Sequence, residues 1–222
     1  GLVGSEMCIR DSNTIKVPAG QRVEVTLSDG THIWLNARSE FSYPVSFNGD
    51  TREVLLKGEA FFDVAKNKNK KFIVNTGRCE VEVLGTQFNV EAYNENEFST
   101  ALIRGSVKVT DKSQPDESVV LEPNNTVSLN NGKLTVTPIT DFNPYSWKDG
   151  LITFKDINFK DLMKKLEKNF GIRIIVDNHT LDNYACSGKF RTSDGIEQVL
   201  RALQQDAHFT FERESGTEIR IQ

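Results

Sequence analysis

The stretch from residue 53 to residue 64 constrains the fold more than any other part of the sequence. Its even-numbered positions are all apolar or small, and its odd-numbered positions carry the charged residues Glu53, Lys57, Glu59 and Asp63. This two-residue period predicts a β-strand with one buried face, because successive side chains of a strand point to opposite sides. Gly58 and Ala60 are small residues on that face, so we expect another layer to approach closely or the strand to bend there.

Short alternating runs continue from about Val17 to Ile139, separated by turn residues. Asp29-Gly30 and Asn131-Gly132 each predict a β-hairpin. The alternation slips by one residue at Leu84-Gly85, which predicts a β-bulge or a sharp bend. Many short strands at close spacing predict an antiparallel β-sandwich or a jelly-roll-like domain.

After Pro138 the pattern changes to two strand-helix-strand units that repeat with an offset of 37 residues, from 159 to 196. Apolar residues match at that offset, and the pairs are Phe159 and Ile196, Leu162 and Val199, Met163 and Leu200, Leu166 and Leu203, and Phe170 and Ala207. Each unit is too small to cover its own apolar face, so we expect the two to pack together. The predicted fold class is therefore mixed β and α+β, with a small βαβ-repeat domain after the β domain.

Four parts follow from these patterns. Residues 1–14 fit no period and begin with a glycine typical of tag removal, so we expect a non-native or disordered extension there. Residues 15–140 form the β domain, and residues 141–150, which contain Pro144, form a linker. Residues 151–222 form the α/β domain with its two repeats.

Composition argues against several classes of function. The net charge of −4 and a pI near 5.5 provide no basic field, so we expect no nucleic-acid partner. Cys8, Cys79 and Cys186 lie too far apart for a zinc motif, and we interpret them as buried or incidental thiols. No run of about 18 apolar residues occurs, so this chain contains no predicted membrane span.

A catalytic constellation is also absent from the sequence pattern. The three histidines, His32, His179 and His208, do not form a metal-ligand motif, and there is no phosphate loop or dinucleotide fingerprint. Glu59 and Asp63 would lie ~13 Å apart along a strand, too far for a carboxylate pair, so we interpret them as solvated charges. We interpret the lysine-rich run of residues 66–71 as a solvated loop. We therefore expect no enzyme activity, no cofactor and no metal.

The order of the motifs resembles the periplasmic domain of FecR-type anti-sigma regulators. The matching segments are Val17-Pro18-Ala19-Gly20-Gln21, Leu27-Ser28-Asp29-Gly30-Thr31, Gly58-Glu59-Ala60-Phe61-Phe62-Asp63-Val64, Val83-Leu84-Gly85-Thr86-Gln87-Phe88-Asn89-Val90 and Gly105-Ser106-Val107-Lys108-Val109. The C-terminal part resembles the small α/β domain attached to these regulators in Bacteroidetes-type proteins. That domain is similar in plan to the short N-terminal signalling domain of secretins and TonB-dependent transducers.

The resemblance implies a signal relay across the periplasm. An outer-membrane TonB-dependent receptor loaded with an iron chelate or a glycan would present its signalling domain to this module, which would pass the signal to an extracytoplasmic-function (ECF) sigma factor. The sigma-binding cytoplasmic segment and the transmembrane helix expected of the family are missing from these 222 residues. We therefore expect a periplasmic portion, anchored to the inner membrane in the full-length protein, that contacts sigma factor and membrane only through that missing part.

A small α/β domain has exposed strand edges to which a partner strand can add. We expect such edges at residues 184–191 and 218–222, with Trp147 as an anchor or an interdomain packing residue. The candidate contact residues are Trp147, Tyr184, Phe190, Arg191, Ile219 and Ile221. The alternative is a carbohydrate-binding jelly-roll module of a secreted or surface protein, with sugars stacking on Trp34, Phe41 and Tyr43.

Overall fold

The computed structural model describes residues 12–222, so Cys8 and most of the expected N-terminal extension lie outside the described residues. Ser12, Asn13 and Thr14 belong to the first strand. Two compact units divide the chain. Of the described residues, the β unit comprises 12–16 together with Val23–Leu35 and Ser39–Ile139, and the α/β unit comprises Val17–Arg22, Asn36–Arg38 and Thr140–Gln222.

Thirteen strands form one large sheet in the β unit. They are β1 (Ser12–Lys16), β2 (Val23–Thr26), β3 (His32–Leu35), β4 (Glu40–Pro44), β5 (Arg52–Asp63), β6 (Phe72–Asn75), β7 (Cys79–Val83), β8 (Gln87–Asn94), β9 (Glu97–Arg104), β10 (Val107–Asp111), β11 (Ser118–Leu121), β12 (Asn125–Asn130) and β13 (Lys133–Pro138). The main path runs β11-β10-β7-β6-β5-β8-β9-β12-β13, and β1 to β4 branch from it. A mostly β, nearly closed sheet followed by a small α/β part confirms the predicted fold class.

The long strand β5 is the centre of this sheet, as the two-residue period predicts. Its first half pairs with β4 and with β6, whereas its second half pairs with β3 and β8. The change of neighbours falls at Gly58, where φ is +121°. A Cβ atom at this position would lie 2.4 Å from Ser39 Oγ and 2.6 Å from Ser39 Cα. Gly58 therefore allows both the bend of β5 and the close approach of Ser39.

Both predicted hairpins form. β2 pairs with β3 around Asp29-Gly30, and β12 pairs with β13 around Asn131-Gly132. Asn131 and Gly132 both have positive φ, at 50° and 78°, as a tight two-residue turn requires. The phase slip at Leu84-Gly85 is a bend between β7 and β8.

The α/β unit contains five strands and two α-helices. They are β14 (Leu151–Asn158), α1 (Phe159–Phe170), β15 (Arg173–Val176), β16 (Ala185–Arg191), α2 (Ile196–Leu203), β17 (Phe211–Ser215) and β18 (Glu218–Ile221). α1 begins at Asn158, whose side chain accepts a hydrogen bond from the Asp161 N–H, and ends at Gly171 with φ of +66°. β14 pairs with β16 in one sheet, and the second sheet has the order β15-β18-β17.

The 37-residue repeat is visible in the pairing of β14 with β16. Ile152 lies opposite Phe190, and Thr153 lies opposite Lys189. At the 37-residue offset, Ile152 corresponds to Lys189 and Thr153 corresponds to Phe190. Each of these β14 residues therefore pairs with the repeat equivalent of its neighbour. The two repeat units therefore contact each other through equivalent strands that run antiparallel.

The core of the α/β unit consists of the repeat residues predicted from the sequence. Phe159, Leu162, Met163 and Leu166 of α1 are buried, and so are Ile196, Val199, Leu200 and Leu203 of α2. The inner faces of β14 and β18 complete the core. Within residues 12–222, no helix is both long enough and apolar enough to span a membrane.

Candidate protein-contact surface

β16 is an edge strand of the α/β unit. Among the described strands it pairs with β14 alone, so its other side presents unpaired backbone groups. This strand contains most of the segment 184–191 that the sequence analysis selects.

The hydrogen-bond pattern identifies the outward groups of β16. The Thr192 N–H donates to the Gly150 carbonyl at 2.8 Å, which makes 150 and 192 a hydrogen-bonded pair. Bonded and non-bonded pairs alternate in an antiparallel ladder, so the next bonded pair is 152 with 190, and Lys189 lies in a non-bonded pair. The backbone N–H and C=O of Lys189 therefore point away from β14, toward the open edge.

The side chains around this edge combine aromatic and basic groups. Tyr184 is exposed, at 38%, while its carbonyl accepts the Phe159 N–H at 2.8 Å. Phe190 is half-buried and stacks on Phe154 with ring centroids 5.8 Å apart. Arg191 is exposed, and its N–H donates to an Asp194 carboxylate oxygen at 3.3 Å. Three of the six candidate residues thus lie on or beside one strand edge.

Gly188 leaves room for this aromatic pair because it has no side chain. A Cβ atom on Gly188 would lie 2.7 Å from a Phe190 ring atom and 2.9 Å from a Phe154 ring atom. Both rings therefore cover the backbone of Gly188, and a larger residue would displace them.

A basic groove of about 420 Å³ adjoins β16. Lys155, Lys165 and Lys189 line it, together with Asp141. Lys165 Nζ donates to the Thr153 carbonyl at 2.7 Å, on the outer side of β14, and Lys189 Nζ donates to Asn143 Oδ1 at 3.0 Å. The groove and the open edge of β16 together present positive charge.

The expectation that residues 218–222 form an edge is wrong. They contain β18, which is the central strand of its sheet, with β15 parallel on one side and β17 antiparallel on the other. Ile219 and Ile221 are 0% exposed and belong to the core. The parallel pairing with β15 joins segments distant in sequence, which the local pattern could not reveal.

The outer edge of β15 has a donor that is already satisfied, as the Arg191 N–H is at the end of β16. Arg173 and Asp177 donate their N–H groups to carbonyls on the β18 side. Successive N–H groups of a strand point to opposite sides, so the Ile174 N–H points to the outer edge. Glu167 Oε1 accepts the Ile174 N–H at 2.7 Å. A side chain of α1 thus satisfies an edge donor that a partner strand would need.

Trp147 is a buried residue of the α/β unit. It lies in a 3-10 helix, Asn143–Asp149, and is 5% exposed. Its carbonyl accepts hydrogen bonds from Arg22 Nη1 at 2.5 Å and from the Gly150 N–H at 3.0 Å. Arg22 Nη2 also donates to Thr192 Oγ1 at 3.1 Å, so this arginine fixes the chain at the start of β14 and the end of β16.

Groups capable of other chemistry are buried or separated. Cys79 and Cys186 are buried free thiols, and burial raises the pKa of Cys79 to about 11. No cluster of metal-ligating side chains occurs among residues 12–222.

Glu59 is 7% exposed and accepts a hydrogen bond from Asn89 Nδ2 at 3.2 Å, so its interpretation as a solvated charge is wrong. Its strand face is covered, as the burial of Phe61 on the same face also indicates.

The aromatic residues considered for sugar stacking are not arranged on one exposed surface. Phe41 is 0% exposed and stacks on Tyr43 at 5.4 Å between ring centroids. Trp34 is half-buried and contacts the edge of Phe61 at 5.8 Å between centroids. Phe41 therefore has no ring face available for a sugar.

The sequence analysis selects the segment 184–191 but does not identify Gly188 and Lys189 as contact residues within it. The small residue between Ser187 and Lys189 inside an alternating run is a signal for a closely covered backbone. The outward direction of the Lys189 backbone has no local signal, because it depends on the register with β14.

Comparison with known proteins agrees with this architecture. The family model described as FecR protein matches residues 13–108, and the model described as FecR, C-terminal matches residues 151–221. No curated protein matches this chain.

Two crystal structures of a candidate anti-sigma factor from Parabacteroides distasonis ATCC 8503, at 1.65 and 2.50 Å resolution, are similar in fold. Each is 30% identical in sequence, and the alignment covers 95% of this chain and 98% of the other. The TM-scores are 0.80 and 0.79. This chain therefore belongs to the FecR family of anti-sigma factors.

Proposed function

We propose that this chain is the periplasmic, signal-receiving part of an anti-sigma regulator, and that the signalling domain of an outer-membrane TonB-dependent receptor binds it at the open edge of β16. Membership of the FecR family supports the regulatory role. The single observation that carries the contact is the unpaired side of β16, with the Lys189 backbone directed outward. A sigma factor would be reached through a cytoplasmic segment joined to this part by a transmembrane helix.

Strand addition suits this edge because main-chain hydrogen bonds supply affinity and side chains supply specificity. β16 carries Lys189 and Arg191 and contains no acidic residue. We expect the partner strand to carry acidic or hydroxyl side chains opposite these two, with an apolar residue against Tyr184. Iron chelate or glycan uptake would supply the inducing signal.

A proline at position 189 tests this mode of binding. The Lys189 N–H points away from β14, so Lys189→Pro removes an outward donor and keeps the β14–β16 hydrogen bonds. The matched control Lys189→Ala removes the same charge but keeps the N–H. Binding of the purified receptor signalling domain to the full chain is measured by calorimetry.

The expected result is that Lys189→Pro abolishes binding, while Lys189→Ala weakens it several-fold at most. Equal affinity for both variants, with an unchanged fold by circular dichroism, would exclude strand addition at β16. Ile219 and Ile221 are core residues, so their substitution reports on folding rather than on contact.

A further inference from the structure

A second surface with binding chemistry lies in the β unit, and it shares no residue with the β16 surface. It is a groove of about 460 Å³, called here the lysine groove. Among the residues that line it, the apolar Leu84 and Val120 are called here its floor, and Lys66, Lys68, Lys71 and Lys108 its rim. An apolar cleft of this volume with a few charged groups is typical of ligand sites.

The floor of the lysine groove is unusually exposed for apolar residues. Val120 is 65% exposed and Leu84 is 43% exposed. In the described part of the chain seven large hydrophobic residues are exposed, and two of them line this groove. They are Val45, Leu55, Leu84, Val120, Val136, Phe142 and Tyr184. Covering Leu84 and Val120 would remove apolar area from water, which favours a partner with an apolar side chain.

The four lysines of the rim carry more positive charge than the neighbouring Glu82 carboxylate can neutralise. Among residues 12–222, Glu82 is the single acidic residue that lines the groove, and Lys71 binds it at 2.6 Å and Lys108 at 3.2 Å. In the part of the chain that the structure describes, Lys66 and Lys68 form no ion pair or side-chain hydrogen bond. Four lysines against one glutamate, on a chain of net charge −4, form a local positive field.

The walls of the groove are held in place without a ligand. The Asn67 N–H donates to the Leu84 carbonyl at 2.7 Å, which ties the lysine-rich loop to the bend after β7. Arg52 donates to the carbonyls of Ala65 and Lys70 at 2.8 and 3.1 Å, at the two ends of the same loop. At the bend itself, a Cβ atom on Gly85 would lie 2.7 Å from Lys66 Cα. A preformed site loses little entropy when a ligand binds.

We propose that the lysine groove binds an extended acidic segment of a partner polypeptide, with an apolar side chain of that segment on Leu84 and Val120. The lysines are distributed over a loop and β10, so a row of carboxylates can pair with them, whereas a single anionic headgroup can reach only part of the rim. This site is separate from the β16 edge, and it would give the protein a second contact that is sensitive to salt.

The test uses the full chain and a short fluorescein-labelled peptide in which glutamates alternate with leucines, followed by fluorescence anisotropy. We expect saturable binding that weakens at high salt. Lys66→Glu combined with Lys68→Glu is expected to weaken it about ten-fold or more, because two attractive contacts become repulsive. Leu84→Ser combined with Val120→Thr is expected to weaken it by a similar factor while leaving the rim unchanged.

Lys57→Glu combined with Lys133→Glu is the matched control, since both lysines are exposed on the β unit outside the groove. It makes the same change in net charge and should leave the affinity nearly unchanged. Equal loss in this control, or no saturable binding by the unmodified chain, would overturn the proposal. Saturable binding of lauric acid by the unmodified chain, without binding of the peptide, would also overturn it, in favour of a small amphiphile. Lys189→Pro should not affect this peptide, so the result is independent of the proposed function.

Discussion

The β unit and the α/β unit differ in where they hold their charged groups. In the β unit, Arg52, Glu59 and Asp111 are at most 7% exposed, and each has a polar partner within the unit. Between Thr140 and Gln222 of the described chain, Thr153 is the one polar residue that is buried.

The α/β unit instead holds its ion pairs at the surface. Arg220 binds Asp177 at 3.0 Å and also Glu214, and Arg213 binds Glu197 at 2.8 Å, all on exposed or half-exposed positions. Exposed pairs of this kind contribute little to stability, whereas a buried charge that loses its partner is costly. Buried polar pairs therefore add specificity to the apolar core of the β unit, whereas the core of the α/β unit is formed by an apolar repeat.

The largest expected effect is that of Arg52→Met. Arg52 is 2% exposed, pairs with Asp29 at 2.7 Å and donates to the Ala65 and Lys70 carbonyls. Loss of the guanidinium leaves Asp29 with its hydrogen bonds from Thr31 but without its cationic partner, and we expect the free energy of unfolding to fall by about 4 kcal/mol. Urea unfolding followed by ¹⁹F NMR of 5-fluorotryptophan gives one signal for Trp34 in the β unit and one for Trp147 in the α/β unit.

The exposed position Lys57 on the same strand is the control for Arg52→Met, because Lys57 forms no ion pair with any of residues 12–222. A loss for Arg52→Met as small as that for Lys57→Met would contradict the view that buried polar pairs add specificity to the β unit.

The next effect concerns the apolar repeat. Leu166 and Leu203 are equivalent at the 37-residue offset, and both are buried in the same core. We expect Leu166→Ala and Leu203→Ala each to lower the free energy of unfolding by about 3 kcal/mol. The Trp147 signal should report both losses; a large loss for one leucine only would show that the two repeats do not share the core equally.

A somewhat smaller effect is expected for Gly58→Ala. The added methyl group would overlap Ser39, and φ of +121° is unfavourable for alanine. We expect a loss of about 2 to 3 kcal/mol, reported by Trp34. Gly49→Ala is the control, because a Cβ at Gly49 would meet nothing within 4 Å. If the two alanine variants are equally stable, Gly58 does not limit the approach of Ser39.

Asp111→Asn should depend on pH. Arg78 and Ser113 donate hydrogen bonds to the Asp111 carboxylate and lower its pKa from 3.8 to about 2. Because the folded-state pKa is lower than the unfolded one, this stabilisation is present above about pH 4 and is lost as the pH falls toward 2. We expect the variant to lose about 2 kcal/mol at neutral pH.

The deficit of Asp111→Asn relative to the unmodified chain should shrink as the pH approaches 2, in thermal unfolding at a series of pH values. Asp116→Asn, at an exposed position, serves as its control. A deficit that stays constant across that pH range would rule out the Arg78–Asp111 pair as its source.

The smallest expected effect is that of Arg213→Ala. Its guanidinium contacts Glu197 at the surface, where water and salt screen the pair. We expect the urea midpoint to move by no more than the experimental error. A double-mutant cycle with Glu197→Ala measures the coupling, and a large coupling would remove the contrast between the two units.

The sequence predicts the two units to different extents. Helical spacing is a local signal, so the α/β core and its repeat follow from residues such as Leu166 and Leu203. The two hairpins and the long strand β5 follow from equally local turn and period signals. The covered outer face of β5 does not, because burial of Glu59 depends on a neighbouring strand that carries Asn89.

The candidate site was predictable only in part, for the same reason. Segment 184–191 has an alternating pattern and contains the edge strand, but the central position of β18 comes from parallel pairing with β15, which no local pattern encodes. The role of Arg52 in holding the lysine-rich loop was likewise hidden, since its partners are carbonyl groups of distant residues. Non-local register is thus the information that residue patterns lack.

Hydrogen–deuterium exchange of the full chain, with and without the receptor signalling domain, tests whether that domain adds a strand to β16. In the free protein the Lys189 N–H lies on the open edge of β16 and should exchange rapidly. We predict that the signalling domain slows exchange at Lys189 and its neighbours in β16, and that β18 is unchanged because its N–H groups are already paired. Slower exchange elsewhere in the chain, with β16 unaffected, would contradict the account.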